Sequence, residues 1–149
     1  MSHGVTQDAM RLSRDLSERY ANSVLWMTKN RLRSEIDRIR SECSTVGWDG
    51  YDARVLGPRA VGQALSFVEA LPHTLAPPSV VPDPDGVYGF EWYTSPEQVF
   101  SVSVEESGVL HFAGLFGAEK RIRGRARISN PLPEEIMIGI RQALTGGKF

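Results

Sequence analysis

Apolar residues fall at Ala9, Leu12, Leu16, Tyr20, Val24 and Met27, and then at Leu32, Ile36, Ile39 and Cys43. Steps of three and four place such positions along one stripe of an α-helix. Neither Pro nor Gly occurs in residues 6–43, so the spacing predicts a helical arm, capped by Thr6 or Ser2. At 1.5 Å per residue that helix is about 57 Å long, more than the width of a domain this size. It therefore either breaks, with Asn30 as the candidate position, or packs in part on another chain.

After the arm comes a loop, Ser44 to Gly57, that contains Gly47-Trp48-Asp49-Gly50-Tyr51-Asp52. Pro58 suits the first position of a second helix, whose buried face is Val61, Ala64, Leu65, Val68 and Leu71 and which Pro72 ends. Pro77-Pro78 and Pro82-Asp83-Pro84-Asp85-Gly86 read as an irregular acidic link. Beyond it the apolar period changes from about 3.6 to 2. Tyr88, Phe90 and Trp92 alternate with polar or small residues, as do Phe100, Val102 and Val104, and Leu110, Phe112 and Phe116 share a face. This pattern predicts three antiparallel strands with one buried face, and a fourth is plausible at Arg121 to Ile128. A last helix is expected from Pro133 to Leu144, with Glu134 and Glu135 at its positive end and a stop at Gly146. The fold class is α+β: a long N-terminal helical arm (1–43), then one domain (44–149). That domain holds a second helix, a three- to four-stranded antiparallel meander covered on one face, and a C-terminal helix.

Length, at 149 residues, suits one such domain, and 41% hydrophobic residues suffice for a core. No apolar run reaches the roughly 18–20 residues of a membrane span, and Met1 to Met10 lacks the apolar stretch of a signal peptide; no membrane and a cytoplasmic location are expected. The lone Cys43 can form neither an internal disulfide nor a Cys-rich zinc site, and its helical register favours a buried thiol.

The net charge of −1 conceals a division. Residues 5–43 carry +2, residues 44–106 carry −7 and residues 107–149 carry +4. The strongest local concentration is Lys120 to Ile128, where a strand would set Arg121, Arg123, Arg125 and Arg127 on one side as a basic ridge. Three occupants suit such a ridge: nucleic-acid phosphate, an acidic protein surface, or solvent with partial pairing to Glu91, Glu105 or Glu106. No aromatics are interleaved with the arginines, which weighs against base stacking.

The Trp48 to Asp52 loop reads in two ways. One is a partner-binding loop, with Trp48 and Tyr51 for contact and Asp49 and Asp52 for a cation or a basic partner. The other, which the Asp-Gly pair favours, is a turn whose aromatics Trp48 and Tyr51 plug the core. His111, with Glu91 or Glu105 near, is the only candidate acid/base pair, and His3 and His73 are remote from it in sequence. Gly146-Gly147-Lys148 has no helix after it to complete a phosphate loop, and Asp83 with Asp85 lacks the rest of a calcium loop. No catalytic residue, metal site or cofactor is therefore assigned.

Three runs also carry a resemblance: Gly47 to Ala53, Phe67 to Pro72, and Pro82 to Gly86 leading to Phe90-Glu91-Trp92. Across about Gly47 to Leu115 the chain resembles a family of small uncharacterised bacterial proteins with a GWDGY-A … LP … PDPDG … EW layout, often carried on mobile elements. The resemblance implies an accessory, immunity or antitoxin-like role and brings no catalytic residue. The expected function is a non-enzymatic interaction or regulatory module. Its partner would be a protein or a second copy, engaged through the N-terminal arm. The alternative is nucleic-acid binding through the arginine-lined strand.

Overall fold

A computed structural model describes residues 2–145. The helix stop expected at Gly146 and the run Gly146-Gly147-Lys148 lie outside the described residues. The elements are α1 (Ser2–Glu42), α2 (Pro58–Ala70), β1 (Ser79–Asp83), β2 (Val87–Ser95), β3 (Gln98–Val104), β4 (Val109–Phe116), β5 (Lys120–Arg127) and α3 (Glu134–Thr145). The five strands form one antiparallel sheet in the order β1-β2-β3-β4-β5. The α+β class, the meander and both terminal helices are as the sequence predicts.

The strand count is higher than predicted, because β1 lies in the segment expected to be an irregular link. Pro82 hides it: proline cannot donate a ladder hydrogen bond and is tolerated only at a sheet edge, where β1 lies. Gly86, at φ 85°, closes the tight turn from β1 into β2. The first helix starts at Ser2 rather than Thr6 and continues through Asn30 to Glu42 as a single element.

The sheet has one covered face. Tyr88, Phe90, Trp92, Phe100, Val102, Val104 and Leu110 point into the core, where Phe67 of α2 and Ile136 and Ile140 of α3 meet them. Phe67 sits 4.6 Å from Phe90, ring centre to ring centre. The last third of α1 joins this core through Leu32, Ile36, Ile39 and Cys43. Burial raises the Cys43 thiol's pKa, as expected of a structural thiol rather than a nucleophile.

Polar contacts at the helix ends fix the layers. The Tyr88 hydroxyl donates to the Ile36 carbonyl at 2.8 Å, and burial pushes its pKa up to about 12. Lys29 Nζ donates to the Glu69 carbonyl at 2.8 Å near the end of α2, and Arg33 pairs with the Glu69 carboxylate. At the end of α3, Thr94 and Gln98 of the β2–β3 hairpin donate to the carbonyls of Ala143 and Gln142. Those carbonyls have no partner within the helix and would otherwise need water.

Candidate functional site

The Gly47–Ala53 loop and the Pro82–Gly86 turn are distant in sequence, yet they pack together. Arg54 N–H donates to the Pro84 carbonyl at 2.8 Å, and Trp48 Nε1 donates to the Arg54 carbonyl at 2.8 Å. Asp49 Oδ1 accepts from the backbone of Tyr51 at 2.9 Å and of Ala53 at 3.3 Å. Asp83 Oδ1 accepts from Asp85 N–H in the same way. Both carboxylates thus hold turns, the common use of Asp in such loops. The proposed contact residues divide accordingly. Trp48 and Asp49 stabilise the loop, whereas Tyr51, 84% exposed, and Asp52 face solvent. Among the described residues no group of three or more His, Cys, Asp or Glu could hold a metal ion.

The outer face of the sheet carries the arginine ridge. Register pairs Val109, His111, Ala113 and Leu115 with Arg127, Arg125, Arg123 and Arg121, so all eight share that face. Among the described residues no side-chain hydrogen bond or ion pair holds Arg121, Arg123 or Arg125, and the Arg127 guanidinium reaches the Ser107 carbonyl at 3.4 Å. Pairing with Glu91 fails on distance. The row Glu91, Ser101, Ala113, Arg123 spans three strand spacings, about 14 Å.

Glu105 has another partner: its Oε1 lies 2.5 Å from His111 Nε2. That hydrogen bond, with the charges of His111 and Arg125, holds the Glu105 carboxyl below its ordinary value. His111 thus pairs with Glu105 rather than Glu91. Ser103 lies opposite His111 in register, and the His111 ring nitrogen Nε2 is engaged by Glu105. Because the folded pKa of Glu105 is lowered, its stabilising effect is full above 4.5 and fades as the pH falls through the folded value. Glu105→Gln is expected to reduce stability by under about 1 kcal/mol near neutrality, since the pair is half exposed. Urea unfolding at pH 6 and pH 3 should show the gap between parent and variant closing in acid; an equal gap at both would contradict this assignment.

The arm of α1 is the third feature. Leu12, Leu16, Tyr20, Val24 and Met27 are all exposed, Tyr20 by 74%. At 100° per residue they cluster on one face, turned by about 150° from the Leu32, Ile36, Ile39 and Cys43 face. The sequence pattern reads as one continuous stripe, but the five-residue step from Met27 to Leu32 divides it in two. Only the second stripe meets the sheet. Sequence reasoning missed the groove beside the first: Tyr20, Val24 and Thr28 face the loop from Leu71 to Pro78 across a cavity of about 470 Å³. Met10 and Trp26 are also exposed on the arm. No described helix is long and apolar enough to cross a membrane. No protein-family model, curated protein or solved structure matches the chain.

Proposed function

We propose that the protein is a non-enzymatic interaction module that self-associates through the exposed face of α1. The observation that carries this reading is the separation of charge from apolar surface on the arm. Between Thr6 and Thr28 the apolar face holds no charged residue. Asp8, Arg11, Arg14, Asp15, Glu18 and Arg19 occupy the remaining arc and sum to zero. Two such arms do not repel one another, and neither offers a charged partner a net field to recognise. At roughly 60–120 Å² of apolar surface per side chain, Met10, Leu12, Leu16, Tyr20, Val24 and Met27 offer on the order of 500 Å². That is the apolar share of one side of a standard interface of about 800 Å².

The resemblance to mobile-element proteins supports an accessory, immunity or antitoxin-like role for this module, and a bacterial cytoplasmic setting. Light scattering tests the association. The parent is expected to run at twice its 16.5 kDa chain mass at tens of micromolar, and Leu12→Glu/Leu16→Glu at the chain mass with unchanged circular dichroism. A monomeric parent would refute self-association.

A further inference from the structure

We propose that the free edge of β5 is a strand-addition site for an extended, acidic segment of a partner protein. Three observations converge on it, none of which involves the arm. First, among the described residues β5 pairs only with β4, and no helix packs against it. Second, its outward backbone groups can be identified. Ile128 N–H donates to the Gly108 carbonyl, which makes Gly108 and Ile128 a hydrogen-bonded pair. Bonded and non-bonded pairs alternate along an antiparallel ladder. Arg121, Arg123, Arg125 and Arg127 therefore stand in the non-bonded pairs with β4, and their own N–H and C=O groups face the open edge. Third, the side chains of these same residues share the outer face, and among the described residues no carboxylate is bonded to Arg121, Arg123 or Arg125.

An incoming strand would thus find backbone partners and guanidinium groups at the same four positions. Its residues opposite the arginines would lie on the outer face, within about 5.5 Å at Cβ, where carboxylates pair favourably. Its alternate residues would lie over Ile122, Gly124 and Ala126 on the inner face, beyond the reach of the helices. Ile122 and Phe112 are only partly buried there, which leaves an apolar shelf for small side chains. The segment recognised is therefore extended and alternates acidic with small apolar residues. A second β5 is excluded, because antiparallel self-pairing would set arginine against arginine. Phosphate chemistry would use the guanidinium groups but leave the backbone edge and the shelf unused, so the acidic peptide fits more of what is present.

Fluorescence anisotropy on the full-length protein tests this with an eight-residue peptide of alternating Glu and Val, matched to the length of β5. Two further probes accompany it: the same peptide N-methylated on its edge-facing residues, and an oligothymidylate. The Glu-Val peptide is expected to bind, with affinity reduced at least tenfold by N-methylation and at least tenfold by Arg123→Glu/Arg125→Glu. Both substituted side chains are exposed, and an unchanged thermal midpoint would confirm that the variant folds. Equal binding of the methylated peptide would overturn strand addition, because charge alone would then explain the affinity. Absence of peptide binding, with or without binding of the oligothymidylate, would overturn the proposal as well.

Discussion

Gly139→Ala should destabilise the protein by about 3 kcal/mol, although alanine is the better helix former. In an exposed helix the exchange would gain up to about 1 kcal/mol. Gly139 instead lies where α3 crosses the sheet. A Cβ built there falls 2.2 Å from Cε2 of Phe100 and 2.5 Å from its Cζ. Phe100 cannot withdraw, because it is fully buried and its ring stacks among Trp92, Phe112 and Phe116. Overpacking of a rigid core costs about 1–3 kcal/mol and more where nothing yields, so the steric term decides the sign. Denaturant unfolding measures it. Adding Phe100→Leu to Gly139→Ala should recover part of the loss relative to the sum of the single changes, a coupling that two independent defects would not show.

Ile36→Ala is expected to cost about 3–4 kcal/mol, within the range for truncating a buried aliphatic side chain. Ile36 is 1% exposed, and its carbonyl receives the Tyr88 hydroxyl, so the change loosens both the apolar contact and the seat of that hydrogen bond. The same helix supplies the control. Leu16, 55% exposed, touches no core, and Leu16→Ala should shift the unfolding midpoint only at concentrations where the arms associate. Ile36→Ala should lower it at every concentration. If both variants behaved alike, α1 would not be the two-part element described above.

These contrasts also show what the sequence could reveal. The alternation Tyr88, Phe90, Trp92 and Phe100, Val102, Val104 is enough to place β2 and β3, since a period of two has no other economical explanation. β1 escaped because its signal is weak: in five residues Pro82 and Asp83 imitate a turn, and only pairing with β2 shows that the segment is extended. The direction of the four arginines follows from the same period of two. That their backbone is unpaired does not, because an edge is a property of strand order in space. For α1 the steps of three and four were legible, whereas the rotation between the two stripes depends on the single five-residue step after Met27. The loop from Trp48 to Asp52 left two readings open. The turn reading describes Asp49 and Trp48, whose hydrogen bonds are local and hold the Tyr51 backbone as well, while the side chains of Tyr51 and Asp52 face solvent.

The two stripes of α1 also set a distance. From Leu16 to Ile36, at 1.5 Å per residue, is about 30 Å of helix between the centre of the arm's apolar face and the centre of the face held by the sheet. Two copies joined arm to arm in antiparallel fashion would therefore carry their sheets at opposite ends of the pair. A partner with one acidic segment would engage one end. A partner with two, on a tether long enough to bridge the ends, would bind the second as an intramolecular event. Its affinity would then depend on tether length, through the effective concentration at the second edge, more than on any added contact.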